Sequence, residues 1–405
     1  METPRESFRK ILHYEQPGRM FNWNWSFGHY GDNDTRGTQF WQRTIDRWHS
    51  EGLPAEVNTP QLVNGFFHVD RRMHLQLHDG VWPEFVPKVL EENDQFQVIL
   101  DSDGRVIKQF RGVDQETSVP LYLRRPVTSR EDWRQYAKER LDPDAPGREI
   151  FTVRSNGVLL IESASGAPNF EEARQLLIES QLPVEVNVGS MYGSLRSWMG
   201  TVPLSYMLYD DEALVAEMME RVADLSIAVI ERVLNPLNVP IDHACWWEDM
   251  AYNQGPLISP KHIKRLMVPN YRRVNDELRK RGIDVIGVDS DGNVDKIIPH
   301  WLDVGINCVY PNEVAAGNDV MAMRRKYGRN LLLIGGIDKR ALAKGKEAIR
   351  EELGRRLPLV AQGGYLPAVD HSVPPDISFE NYMYYVEFQA QECERYLEQW
   401  CVAGE

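Results

Sequence analysis

The sequence predicts an α/β fold, a single (β/α)8 barrel of the TIM type with an elaboration in its N-terminal half. Three observations predict it. Short apolar runs of strand length alternate with amphipathic stretches of helix length through the second half of the chain. Each of these helical stretches has a Gly or Pro near an end. Acidic residues follow directly on the strand-like runs, and 405 residues is within the range of barrels that carry insertions.

The composition excludes several classes of protein. The formal charge of −14 argues against a nucleic-acid partner, since phosphate backbones are bound by clusters of Lys and Arg. No apolar run approaches the roughly 20 residues of a membrane helix, and the polar start lacks the apolar region of a secretory signal. Four cysteines in so long a chain do not form a disulfide framework. We therefore expect a cytoplasmic protein with reduced thiols and no contact with membranes.

The chain is predicted to begin with a helix and a strand. The helix covers residues 5–13 and ends at a Gln-Pro-Gly turn. The strand covers residues 19–27, where Phe21, Trp23, Trp25 and Phe27 alternate with other residues. Four rings on one face either pack in the core or line a substrate pocket.

Residues 69–148 are predicted to be an irregular elaboration of the barrel and not a second domain. They contain strand-like runs at 96–100 and 106–110, separated by segments rich in proline. No repeat or low-complexity tract interrupts the chain. One domain over residues 1–405 is therefore expected.

The second half is predicted to alternate buried strands with helices. The strands are expected at 184–188, 239–246, 284–288, 307–310, 331–334 and 365–369. The helices are expected at 211–234, 260–281, 317–327 and 341–357. This alternation is typical of a parallel sheet with helices packed against it.

Carboxylates or imidazole follow five consecutive predicted strands. They belong to Glu248 and Asp249, Asp289 and Asp291, Glu313, Asp338, and Asp370 and His371. In a parallel barrel the carboxyl ends of the strands converge on one rim, and that rim carries the chemistry. The sequence therefore predicts a functional site there.

Short motifs occur in a fixed order along the chain, at residues 5–8, 14–20, 189–196, 256–260, 289–292, 334–338, 370–375 and 380–382. In this order they resemble the uroporphyrinogen decarboxylase superfamily, which also contains corrinoid-linked methyltransferases. The resemblance covers nearly the whole chain. It implies a (β/α)8 barrel, in agreement with the strand and helix pattern.

The chain departs from the porphyrinogen decarboxylases at the first strand. Those enzymes carry an Arg-rich motif there that binds substrate carboxylates, whereas this chain has Met20-Phe21-Asn22-Trp23-Asn24-Trp25. A polycarboxylated tetrapyrrole would meet an aromatic wall, so we do not expect it as substrate. His371 matches the histidine of a later Gly-His-Gly segment of those enzymes.

The resemblance also implies a divalent metal. Thiol-activating methyltransferases of the superfamily bind zinc with a His-x-Cys pair and a later Cys, and these positions correspond to Asp289, Asp291 and His371. Residues i and i+2 at a strand end point the same way, so both carboxylates can face one ion. Zinc is the leading candidate, with manganese or iron as alternatives. The alternative is that both aspartates cap the next helix and that His371 is a satisfied loop histidine.

Further residues near the rim are candidates for catalysis. Glu248 and Asp249 are candidate general acids or bases beside the ion, together with Asp291 and His371. His243-Ala244-Cys245 has His-x-Cys spacing but lies within an apolar strand, where barrel packing is the alternative to metal binding.

Substrate binding is predicted for an arginine, a tyrosine and several tryptophans. Tyr192 and Arg196 are candidates for holding a carboxylate or phenolate, and a structural salt bridge is the alternative. Trp23, Trp25, Trp246 and Trp247 are candidate walls for a flat substrate.

Three functions are compatible with this sequence. The first is metal-assisted transfer of a methyl group from a small methylated or methoxylated compound to a corrinoid (cobalamin) carried by a partner protein. The second is cofactor-free decarboxylation of a small carboxylated ring, with Asp289 or Asp291 steadying a protonated intermediate. The third is ligand binding without turnover. The superfamily resemblance also suggests a homodimer.

Overall fold

The structure is a computed structural model that describes residues 2–24, 35–111, 120–155 and 158–400. Side chains are not described for residues 35–42 and 60. Trp25 and Phe27, from the predicted aromatic strand, lie outside the described residues. No helix in the described part is both long and apolar enough to cross a membrane.

The described strands form three sheets. In chain order they are β1 (Met73–Leu77), β2 (Lys88–Glu92), β3 (Phe96–Leu100), β4 (Val106–Phe110), β5 (Leu121–Arg124), β6 (Phe151–Ser155), β7 (Val158–Glu162), β8 (Val184–Asn187), β9 (His243–Trp247), β10 (Ala251–Tyr252), β11 (Gly255–Pro256), β12 (Ile286–Asp289), β13 (Cys308–Tyr310), β14 (Leu332–Ile334) and β15 (Tyr365–Leu366).

Helices connect most of the parallel strands. In chain order they are α1 (Pro4–Leu12), α2 (Thr35–Ser50), α3 (Pro60–Phe66), α4 (Arg130–Arg140), α5 (Phe170–Glu179), α6 (Tyr192–Met199), α7 (Thr201–Asp210), α8 (Glu212–Leu237), α9 (Pro260–His262), α10 (Val268–Lys280), α11 (Ile298–Asp303), α12 (Val320–Tyr327), α13 (Lys339–Ala343), α14 (Lys346–Arg356) and α15 (Phe379–Glu398). A π-helical segment, Ile263–Met267, joins α9 to α10.

The main sheet has nine strands in the order β15-β14-β13-β12-β9-β8-β1-β6-β7. The neighbours from β15 to β1 pair in parallel, whereas β6 and β7 are antiparallel. This confirms the predicted parallel sheet. Each predicted strand of the second half is present, shifted or shortened at its ends.

The parallel strands separate two cores, because successive side chains of a strand point to opposite faces. One face packs against the helices and contributes Val186, Ala244, Ile286, Val309 and Leu333 to the large outer core. The other face contributes a smaller inner core, together with α1 and the segment after it. Its members are Phe8, Ile11, Leu12, Phe21, Trp23, Val285, Cys308, Tyr310, Leu332, Ile334, Leu366 and Ala368.

The sheet curves around this inner core. The ring of Trp23 lies 6.1 Å from that of His243 on β9 and 5.9 Å from that of Tyr310 on β13. The guanidinium of Arg72, just before β1, lies 3.7 Å from the same ring. Trp23 therefore contacts residues on β9 and β13 and the residue just before β1, which a flat sheet would not allow.

The α/β class is confirmed, but the pairing differs from the predicted barrel at β1. The second edge of β1 pairs with β6 in antiparallel register, from Met73↔Ser155 to Leu77↔Phe151. Residues 20–24 belong to the predicted first strand but have no strand pairing. Hydrogen bonds link Asn22 to the segment before β1: Asp70 N–H donates to the Asn22 carbonyl at 3.1 Å, and Asn22 N–H donates to the Asp70 carboxylate at 2.8 Å.

The predicted elaboration is a four-stranded antiparallel sheet in the order β2-β3-β4-β5. Its β3 and β4 are the two strands predicted within residues 69–148. β1 lies in the same range but belongs to the main sheet. This strand was missing from the prediction, although its residues alternate apolar and polar side chains. The elaboration packs against α6, where the rings of Trp133 and Trp198 stack at 5.9 Å.

Candidate active site at the carboxyl ends of the strands

Acidic residues and one histidine gather where β9, β12, β13 and β15 end, and we call this region the mouth. Burial raises the pKa of Asp289 well above its ordinary range, and the charges of Asp249, Asp291 and Glu313 raise it further. His371 Nε2 lies 3.6 Å from Asp291 Oδ2. The mouth therefore brings the predicted Asp289, Asp291 and Asp249 close to His371.

The His371–Asp291 pair is the accessible part of this group. The side chains are 36% and 40% exposed, respectively. Burial lowers the pKa of His371, but the nearby carboxylate of Asp291 outweighs it, so the net shift is upward. No described helix backbone N–H donates to the carboxylate of Asp289 or Asp291, so the geometry does not show the alternative role as caps.

Asp249 links this group to α6. Its backbone is left-handed, with φ of 42°, and its carboxylate accepts the Asp291 N–H at 3.2 Å. Arg196 on α6 donates to the Asp249 carbonyl at 3.0 Å and lies 3.4 Å from its carboxylate. Burial raises the pKa of Asp249, as does Asp291, while Arg196 lowers it. Arg196 therefore forms the salt bridge that was the alternative to substrate binding.

Glu248 lies beneath the N-terminus of α6 and is fully buried. Its carboxylate accepts hydrogen bonds from the Met191 and Tyr192 N–H groups at 2.8 Å and from the hydroxyls of Tyr271 and Ser190 at 2.7 and 3.2 Å. Burial raises its pKa and these donors lower it. An acidic group at this position stabilises the helix N-terminus. The geometry gives Glu248 a positioning role and offers no exposed atom for the predicted acid–base role.

Of the predicted aromatic walls in the described part, only Trp247 is exposed, at 41%. The Arg196 guanidinium lies 5.4 Å from its ring. Trp246 is fully buried in the outer core and donates to Asn275, and Trp23 is buried in the inner core. Strand alternation turns Trp246 toward the outer core, and packing in the inner core holds Trp23. Neither ring therefore lies at the mouth. Trp25 lies outside the described residues.

Tyr192 is also buried, at the start of α6. Burial raises the pKa of its hydroxyl. In the described part of the chain, this hydroxyl has no hydrogen-bond partner. A buried polar atom in this state is what a bound ligand or water would satisfy.

A row of polar residues below the mouth was not predicted. His74, Glu185 and His243 are register partners on β1, β8 and β9 and share the inner face. Glu185 Oε1 lies 3.1 Å from His243 Nδ1, and Oε2 lies 3.2 Å from His74 Nδ1. Arg72 lies 3.5 Å from the same carboxylate. The alternation of side chains along each strand could have predicted which face each residue takes. The sequence of one strand, however, does not show which other strands pair with it.

The charges in this row are set by the packing. Burial raises the pKa of Glu185, but Arg72 and His243 outweigh it and leave a net lowering. Burial lowers the pKa of His74 to about 4. An ionised carboxylate between two imidazoles favours Nδ1–H on both rings.

His243 and Cys245 are therefore both on the inner face. His243 is bonded to Glu185, and the Tyr310 hydroxyl donates to Cys245 Sγ. Burial raises the pKa of Cys245 well above its ordinary value, as does the charge of Asp289, so the thiol stays protonated. This environment supports the packing role of the pair.

The inner face is open to solvent above this row. Gln76 on β1 and Asn187 on β8 are exposed although they share the inner face with His74 and Glu185. Gln76 and Asn187 lie near the carboxyl ends of their strands, so the space they face opens at the mouth. This space and the mouth together form the candidate active site.

The residues predicted to bind a metal lie at the mouth. Asp289, Asp291 and His371 offer the oxygen and nitrogen donors that zinc, manganese or iron accept. In the described part of the chain, however, no three His, Cys, Asp or Glu side chains lie close enough together to hold a metal ion. The donor types suit a metal, but the side chains as placed do not form a three-ligand site.

An α/β fold whose parallel strands present acids and imidazole at their carboxyl ends defines a barrel-like enzyme class. The chain belongs to the uroporphyrinogen decarboxylase family, since the profile described as "Uroporphyrinogen decarboxylase (URO-D)" matches residues 171–391. This confirms the resemblance found in the motifs.

Two solved structures are similar to this chain to different degrees. A structure described as a methyltransferase from Methanosarcina mazei superposes with a TM-score of 0.55 at 12% identity, covering 98% of this chain and 99% of that chain. A B12-independent methionine synthase from Shewanella sp. W3-18-1 gives a TM-score of 0.39 at 11% identity, covering 61% of this chain and 72% of that one. The first similarity shows a shared fold. No curated protein matches the sequence.

Proposed function

We propose that this protein transfers a methyl group from the oxygen of a small methylated compound, such as a methoxylated ring, to a reduced corrinoid carried by a partner protein. Family membership and the full-length similarity to a structure described as a methyltransferase support the reaction class. The observation that carries the proposal is the accessible His371–Asp291 pair at a mouth that also presents Trp247 and Arg196.

The residues of the mouth match what such a reaction needs. As the oxygen–methyl bond breaks, its electron pair stays on the oxygen and the methyl carbon bonds to the reduced acceptor. His371, held by Asp291, gives its proton to that oxygen, so an alcohol or phenol leaves instead of an anion. Solvent at the open mouth returns the proton to His371. Trp247 offers a flat apolar surface for a ring.

A metal remains part of the proposal only as an addition to this chemistry. Zinc, when bound at Asp291 and His371 with Asp289, would polarise the same oxygen. The oxygen and nitrogen donors of these residues suit zinc, but the distances among the side chains do not. We therefore assign no step to the metal.

A panel of methoxylated compounds mixed with free cob(I)alamin tests the proposal. Each compound is assayed with added zinc and with a chelator, and methylcobalamin is followed by its absorbance. We expect methylcobalamin with at least one compound. If no compound yields it under either condition, methyl transfer is wrong, and tight binding without turnover would then support a ligand-binding role.

Decarboxylation of a small carboxylated ring is the second candidate. Arg196 favours it because its guanidinium has five N–H donors, more than its contacts with Asp249 use, and can also hold a substrate carboxylate. Release of carbon dioxide from aromatic acids without corrinoid or metal would support this candidate over methyl transfer.

We further propose that residues 20–24 fill the remaining position of a (β/α)8 barrel, between β15 and β1. The contacts of Trp23 with both sides of the inner core support this, as does the Asp70–Asn22 hydrogen bond. In this arrangement residues 1–405 are one domain with an elaboration near 69–148. A homodimer is proposed from the family resemblance.

A further inference from the structure

A cavity of about 320 Å³ lies between the elaboration sheet and α4, and none of its lining residues belongs to the mouth. Phe85 and Tyr136 line it with rings that stack at 6.2 Å. Tyr136 is fixed by donating its hydroxyl to the Asp103 carbonyl at 3.0 Å. Cavities of this volume hold small organic molecules. We call it the arginine cavity, after the three arginines described next.

Arg124, Arg125 and Arg140 line the cavity. Within the described ranges, none of the three has a carboxylate within ion-pair distance, although the chain carries 60 acidic residues and a net charge of −14. Arg140 lies 4.2 Å from the Phe85 ring and donates to the Pro83 carbonyl at 3.0 Å. Its Nε is buried without a hydrogen-bond partner among the described residues. A buried donor in this state favours an acceptor brought by a ligand.

The second of these cations is fixed in place. The Arg125 guanidinium lies 3.5 Å from the Tyr122 ring and donates to the Ser197 carbonyl at 2.6 Å. Burial lowers the pKa of Arg125 because it makes the charged guanidinium costly, and the nearby cations Arg105 and Arg196 add to that cost. An anion at this position would offset that cost.

The two acidic residues of the lining are already engaged. Asp132 accepts from the Thr128 hydroxyl at 2.6 Å, and Glu139 accepts from the Gln135 amide at 3.1 Å. Positive side chains therefore outnumber negative ones, and the negative ones have polar partners of their own.

We propose that the arginine cavity binds a small organic anion, with a carboxylate or phosphate group at Arg124 and Arg140 and a flat apolar body against Phe85 and Tyr136. Guanidinium groups bind such anions through paired hydrogen bonds, and aromatic side chains stack on flat bodies. This site is separate from the mouth and does not depend on the reaction proposed there.

Isothermal titration of the full-length protein with phenyl phosphate tests this site. We expect saturable binding at one site, weaker binding of inorganic phosphate and no binding of benzyl alcohol. Arg140→Gln and Arg124→Gln should each weaken phenyl phosphate binding at least tenfold. Arg134→Gln is the matched control, because Arg134 is on the same helix but is exposed and paired with Glu131.

Three results would overturn the proposal. The first is the absence of saturable binding of phenyl phosphate to the wild type. The second is an equal loss of affinity in Arg134→Gln and in the cavity variants. The third is a loss in Arg196→Gln with none in Arg140→Gln, which would place the anion at the mouth. Melting temperatures of all variants show that each one is folded.

Discussion

Asp79, two residues after β1, is half-buried and has one fully buried carboxyl oxygen. Its Oδ2 has no hydrogen-bond partner among the described residues. Gly189 packs so closely that a Cβ there would lie 2.6 Å from this oxygen. Burial raises the pKa of Asp79 to about 7, although Arg148 lowers it. The native state therefore keeps a proton on Asp79 that the unfolded chain releases near pH 3.8.

This proton makes stability depend on pH. Between about pH 4 and pH 7 the native state binds more protons than the unfolded state, so stability falls as pH rises. Asp79→Asn should remove this loss. We expect the variant to be more stable than the wild type at pH 8, by at most about 4 kcal/mol at ~1.36 kcal/mol per pKa unit, and equal to it near pH 4.

Urea denaturation from pH 4 to pH 8 measures this difference. Asp276→Asn is the control, since Asp276 is exposed beside Arg279. A difference that does not change with pH would contradict a raised pKa at Asp79.

The elements of the second half were predicted well because their periodicity is local. The parallel strands were predicted from apolar runs and α8 from helical spacing. The motif resemblance predicted the family of the chain. β1 was missed although its residues alternate apolar and polar side chains. The sequence also could not show that Arg72 and His74 meet Glu185 on β8, more than a hundred residues later. A buried pair of this kind depends on which strands become neighbours, and a single sequence does not state that.

The His74–Glu185–His243 row gives a prediction at the scale of the sheet. Glu185→Gln would remove the negative charge that pairs with Arg72 and leave one amide oxygen where a carboxylate now accepts from two imidazoles. Breaking a buried ion pair by removing one partner typically costs about 3–5 kcal/mol. We expect a loss of stability in that range, measured by urea denaturation at pH 7.

Glu162→Gln is the matched control for this variant. Glu162 is exposed at the end of β7. Equal stability of Glu185→Gln and Glu162→Gln would show that the row contributes nothing to the fold.

For the molecule as a whole, the sequence predicted which strand-end residues come together better than it predicted how each side chain is oriented. The acids after β9 and β12 and the histidine after β15 do meet at one rim, because parallel strands carry their ends together. Trp246 lies within β9 and points to the outer core, and Glu248 directly follows β9 but points to the α6 N-terminus. The direction of a side chain after a strand depends on the local turn. At Asp249 the backbone is left-handed, so the alternation of side chains along β9 does not continue past the end of the strand.

We propose that His371 and Asp291 at the mouth act in the transfer of an oxygen-bound methyl group. A methoxylated compound with an isotope-labelled methyl group, followed by mass spectrometry of the corrinoid, tests this proposal. We expect label on the corrinoid with the wild type and with Asp303→Asn, an exposed control on α11, and at least a hundredfold slower labelling with Asp291→Asn. Labelling at the same rate in Asp291→Asn, or release of unlabelled carbon dioxide with no label on the corrinoid, would contradict it.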